Sequence, residues 1–69
     1  MNTKQKIIEK GNLELTFSED WEDNKYYFIV DIYDLEKEEF IFHSRVEMDD
    51  SFENDIQTWI AYYGSKYGI

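Results

Sequence analysis

The sequence predicts an α+β domain: a three-stranded antiparallel meander packed on one face by a C-terminal helix, preceded by a short N-terminal helix. Three observations lead there. Residues 12–18, 26–35 and 40–48 alternate or run in β-branched and aromatic residues, the mark of strands. Residues 52–63 instead repeat their apolar positions at helical spacing. With 69 residues there is room for one small domain, spanning 1–69.

Each element has its own warrant. Residues 3–10 (TKQKIIEK) read as a short helix stopped by Gly11-Asn12, with a strand as the alternative. In 12–18, Leu13, Leu15 and Phe17 point one way and Glu14 and Thr16 the other. Residues 19–25 (EDWEDNK) break the alternation with polar turn formers and read as a loop. Residues 26–35 (YYFIVDIYDL) form the central strand, with Tyr26, Phe28, Val30 and Ile32 on one face and Tyr27, Ile29, Asp31 and Tyr33 on the other. After the charged turn 36–39, Phe40, Phe42, Ser44, Val46 and Met48 face one way, and Ile41, His43, Arg45 and Glu47 the other.

In the final helix, 51–63, Asp50 is the expected N-cap, with Glu53 three residues on. Phe52, Ile56, Trp59, Ile60 and Tyr63 make one stripe that docks on the sheet, and Gly64 stops it. The expected order is α-β-β-β-α, a two-layer sandwich.

Composition then bounds function. The chain has 16 Asp+Glu against 7 Lys+Arg, a net charge of -9, with no cysteine and no proline. A disulfide framework and a thiolate zinc site are excluded. No apolar run is long enough to span a membrane and no secretory signal is visible, so a cytoplasmic setting is expected. Such a charge repels nucleic acid and anionic membranes and favours basic partners. At 42% hydrophobic and 19% aromatic, the chain has the material for a core that disordered acidic segments lack.

The charge is unevenly placed. Residues 1–10 sum to +2, from Lys4, Lys6 and Lys10 against Glu9. Residues 14–55 hold 15 acids against Lys25, Lys37 and Arg45, a net of -12. In a meander the 19–25 loop lies at the end where the last strand finishes and the helix begins. Glu19, Asp20, Glu22 and Asp23 are therefore expected to converge on Glu47, Asp49, Asp50, Glu53 and Asp55, with Trp21 among them either as an exposed interface anchor or folded back to cap the small core. Carboxylates two apart on a strand lie about 6.5–7 Å from one another, and those three or four apart on a helix about 5–6 Å. These spacings approach those of successive phosphates, so such an array offers a basic groove what DNA offers. Acids in loops and first helical turns are also ordinary, because the helix dipole favours them and they aid solubility.

Other chemistries find less support. The Asp20–Asn24 segment with Asp49, Asp50 and Glu53 supplies oxygen ligands, but it lacks the residue order of a helix–loop–helix calcium site. His43 is the single histidine, no serine sits in a nucleophile motif, and the chain is too small to wall a substrate cleft. No enzyme activity, cofactor or bound metal is expected. The alternatives to a DNA mimic are an interaction adaptor using the aromatic sheet face, and a calcium-type metal binder. An exposed face with Tyr27, Ile29 and Ile41 would also suit a homodimer.

The α-β-β-β-α order resembles the double-stranded-RNA-binding domain, which grips phosphates with basic residues at the start of its last helix. Here Asp49-Asp50-Ser51-Phe52-Glu53 stands in that place, which contradicts RNA binding. In size, charge and pattern the whole chain looks like the small acidic phage-encoded inhibitors that mimic DNA, several anti-CRISPR proteins among them. That resemblance implies a basic bacterial host target: a histone-like protein, a CRISPR nuclease or a DNA-repair enzyme.

Overall fold

Among the described residues four strands, and not three, make the sheet. The computed structural model describes residues 4–48 and 51–69. Strand β1 (Gln5–Lys10), β2 (Leu13–Glu22), β3 (Lys25–Asp34) and β4 (Glu39–Glu47) form an antiparallel meander in that order. Helix α1 (Phe52–Tyr63) follows, and a 3-10 turn, Gly64–Tyr67, closes the chain. The three-stranded expectation and the N-terminal helix are thus both corrected.

The physical reason lies in the turn. A helix of about eight residues, 3–10, is marginal by itself, whereas Gly11 at φ 61° lets the chain double back through Gly11-Asn12 as a two-residue hairpin. All six residues of β1 then pair with β2, Lys10 opposite Leu13 and Gln5 opposite Ser18.

The expected 19–25 loop is likewise mostly strand. Strand β2 runs to Glu22, opposite Lys25, and only Asp23 and Asn24 remain as a turn, at φ 53° and 64°. Positive φ at both central positions is the turn whose twist suits a tight hairpin, and Asp and Asn tolerate it best among residues with a Cβ.

The register sorts the faces. Toward α1 point Leu13, Leu15 and Phe17 of β2, Tyr26, Phe28, Val30 and Ile32 of β3, and Phe42, Ser44 and Val46 of β4. The core is Leu15, Phe17, Phe28, Val30, Ile32, Phe52, Ile56 and Trp59. Burying each large apolar side chain contributes about 1.5–3 kcal/mol. Trp59 ties the layers together: it meets Phe17 edge-on at 5.4 Å and Phe42 at 6.2 Å, and stacks on Tyr67 at 5.9 Å.

One expected face assignment is overturned. Tyr33 pairs with Phe40 and Ile32 with Phe42, so Ile41 is an extra, bulged residue. The bulge reverses the parity of β4 beyond it. Phe40 therefore leaves the helix side and packs edge-on against Tyr33 at 4.9 Å.

The helix begins one residue later than expected. Ser51 Oγ accepts the Asn54 N–H at 3.3 Å as the N-cap; the expected cap, Asp50, lies outside the described residues. Gly64 ends the α-helix, but the chain coils on to Gly68, whose φ of 82° stops it. Among the described residues no helix is long and apolar enough to cross a membrane.

Candidate functional site: the uncovered sheet face and its two ends

With α1 on one face, the other face of the sheet is open. It carries Gln5, Ile7 and Glu9 of β1, Glu14, Thr16, Ser18, Asp20 and Glu22 of β2, Lys25, Tyr27, Ile29, Asp31 and Tyr33 of β3, and Phe40, His43, Arg45 and Glu47 of β4. The strands run between two ends. The Asp23-Asn24 turn, the finish of β4 and the start of α1 share one end. The Gly11-Asn12 turn and the 35–38 turn share the other, where the Leu35 N–H donates to the Asn12 carbonyl at 2.8 Å.

At the Asp23 end the expected cluster is only partly assembled. Asp20, Glu22 and Glu47 do share the open face, Asp20 and Glu47 both flanking Tyr27. Asp23 sits in the turn and Glu53 is exposed in the first turn of α1. Glu19 points to the helix side, where Oε1 accepts the Lys4 backbone N–H at 3.3 Å. Asp55 is buried at 2% exposure, so a partner cannot reach it. Asp49 and Asp50 lie outside the described residues. Trp21 is on the helix side of β2 beyond the cover of α1; it is 52% exposed and leans on Tyr26 at 5.2 Å.

Sequence reasoning placed Arg45 on the outward face but did not foresee its role. Its Nη2 donates to Glu22 Oε2 at 2.9 Å and to Asp20 Oδ2 at 3.3 Å. Its guanidinium lies 3.8 Å from the Tyr27 ring centre, a cation–π contact. The Asp20 hydrogen bond, with the charges of Glu22 and Asp20, raises the Arg45 pKa above its ordinary value, so it stays cationic throughout the accessible range. The sequence signal was parity: Asp20, Glu22, Tyr27 and Arg45 fall on one face once β2 is extended to Glu22. Nearby, His43 Nδ1 contacts Asp31 Oδ1.

No family model, no curated protein and no solved structure matches the chain.

At the Gly11 end the acids are arranged differently. Glu9 stands directly opposite Glu14, Glu14 opposite Tyr33, and Tyr33 opposite Phe40. Like charges facing each other across strands destabilise a sheet. Among the described residues no ion pair engages Glu9 or Glu14, whereas Arg45 pairs with Asp20 and Glu22 and His43 contacts Asp31. In the adjoining turn Asp34 Oδ1 accepts the N–H groups of Glu36 and Lys37, each at 3.0 Å, and Asn12 Nδ2 donates to Glu36 Oε2 at 2.9 Å. Among the described residues no group of three acids or histidines is placed to hold a metal ion.

Proposed function

We propose that this protein is an acidic mimic of DNA that occupies the basic nucleic-acid-binding surface of a host protein and blocks DNA binding there. The observation that supports it most is the net charge carried on a narrow, folded body. The described residues extend 37 × 23 × 17 Å. A nucleic-acid strand of that length carries about 11 phosphates at 3.4 Å each. The chain's net charge of -9 is of that order. Its surface carboxylates are spaced by strand pleat and hairpin register, so a basic groove meets fixed charges and not a disordered tail. Asp23, Glu47 and Glu53 are the proposed contacts at the Asp23 end, together with Asp20 and Glu22, whose charge Arg45 partly offsets, and with Trp21 on the opposite face of the same end.

Competition decides the proposal. Labelled duplex DNA is bound to a basic bacterial DNA-binding protein, beginning with a histone-like protein, a CRISPR nuclease and a DNA-repair glycosylase, and this protein is titrated in. Displacement from at least one, falling steeply between about 50 and 300 mM salt, is expected, because screening shortens the reach of surface charges. Failure to displace DNA from any of them at the lowest salt would end the idea. Charge reversal at Asp20, Asp23, Asp50 and Glu53 should weaken displacement more than reversal at Glu36 and Glu38; equal effects would remove the site assignment.

A further inference from the structure

The open face carries a carboxylate–tyrosine cross-strand pair at both ends and closes it with an arginine at only one. At the Asp23 end a carboxylate–tyrosine cross-strand pair, Asp20 opposite Tyr27, is joined by Glu22 and closed by the chain's own Arg45, which stacks on the ring and bonds both carboxylates. At the Gly11 end a second carboxylate–tyrosine pair, Glu14 opposite Tyr33, is joined by Glu9 and by the Phe40 ring. The same groups recur, two carboxylates beside an aromatic surface, but among the described residues no ion pair reaches Glu9 or Glu14. The lysines of β1 do not serve, because Lys6 and Lys10 lie opposite Phe17 and Leu13 on the helix side.

The surroundings are apolar and open. Phe40 is 66% exposed, Ile7 51% and the bulged Ile41 43%. Exposed aromatic and aliphatic groups bordered by unneutralised carboxylates mark a surface that gains from contact with a cationic, amphipathic side chain.

We infer that this end of the open face docks an arginine of a basic partner protein, the guanidinium lying on the Tyr33 ring beside Phe40 and bonding Glu14, with the Glu9 carboxylate of the next strand adding its charge. Charge complementarity selects this occupant. A second copy of the chain would bring Glu9 and Glu14 against an equally acidic surface. An arginine relieves the Glu9–Glu14 repulsion and covers the rings at once. Its planar guanidinium suits the two carboxylates and the aromatic surface better than the point charge of lysine. The inference rests on the proposed function for the class of partner, a basic protein, and adds a second contact surface with its own chemistry.

The test uses the full chain, labelled with nitrogen-15, titrated with a nine-residue arginine–glycine repeat peptide and separately with its lysine counterpart at about 50 mM salt. Amide shifts centred on Glu14, Tyr33 and Phe40 are expected, with the arginine peptide bound more tightly than the lysine one. Phe40→Ala should weaken the arginine peptide about two- to fivefold, the scale of an exposed cation–π contact. Glu14→Gln, which changes only the charge, should weaken it comparably, so the result does not hang on one variant's fold. Shifts centred on Asp20, Glu22 or Glu53, or no preference for arginine, would overturn the inference. The two proposals fail separately. If Phe40→Ala and Glu14→Gln displace DNA from its protein as well as the unmodified chain does, this docking surface is wrong and the mimic stands. If the unmodified chain binds the arginine peptide here but displaces no DNA, the mimic is wrong and the surface stands.

Discussion

The two ends of the sheet hold similar chemistry in opposite states of compensation. At the Asp23 end, Asp20 and Glu22 share Arg45, which also covers Tyr27. At the Gly11 end, Glu9 and Glu14 face each other with no ion pair among the described residues, beside the exposed ring of Phe40. Counting acids along the chain does not reveal this difference. What a carboxylate offers a partner depends on whether the chain has already neutralised it, and strand register decides that.

The largest expected effect is a control on treating the ends as parts of one body. Trp59 meets Phe17, Phe42, Tyr63 and Tyr67, so Trp59→Ala should cost about 3–5 kcal/mol. For so small a domain that is most of its stability. Both ends should lose amide protection together in hydrogen exchange; loss at one end alone would mean that the sheet is not one cooperative unit.

Gly64→Ala acts on the Gly11 end, toward which the C-terminal turn runs: Gly68 lies close to Lys10. A Cβ at Gly64 would lie 2.8 Å from the Ile69 carbonyl oxygen, a backbone atom that has to move. Overpacking of this kind costs about 1–3 kcal/mol. Chemical denaturation should show it, with exchange rising first in 64–69.

Gly11→Ala is the next step down. The turn has open space for a methyl group, but its φ of 61° is disfavoured for a residue with a Cβ, at about 1–2 kcal/mol. Strand β1 should fray while the Asp23-Asn24 turn stays intact.

The smallest effects test the comparison most directly. Glu14→Gln should stabilise the fold by about 0.2–1 kcal/mol by ending the repulsion with Glu9. Asp20→Asn should lower the melting temperature slightly, because it takes a partner from Arg45. Added salt should shrink both effects. Equal signs for the two substitutions would show that the ends do not differ as described.

Much of the fold was legible because strand and helix periodicities are local. Phe28, Val30 and Ile32 alternate, Phe52, Ile56 and Trp59 recur at helical spacing, and all six are buried. β1 was not legible in the same way. Its adjacent Ile7 and Ile8 fit either a helix or a strand, and pairing with β2 decided between them. The extension of β2 through Glu19–Glu22 was hidden by polar residues that serve an open face as well as they serve a loop. The candidate site was legible in its residue types but not in its assembly. The meander brings Asp20, Glu22 and Glu47 together, while the helix buries Asp55 and the pleat turns Glu19 away.

The sequence by itself determined the α+β class, the central strand, the docking stripe of the helix and the acidic balance of charge. These follow from composition and from repeats within a dozen residues, where side-chain direction is fixed by the backbone period. Only the tertiary structure decided the fourth strand, the bulge at Ile41 that carries Phe40 to the open face, and the capture of Asp20 and Glu22 by Arg45. Each depends on which residues stand opposite one another across strands, and that register is settled by the turns and by burial of one face of the whole sheet.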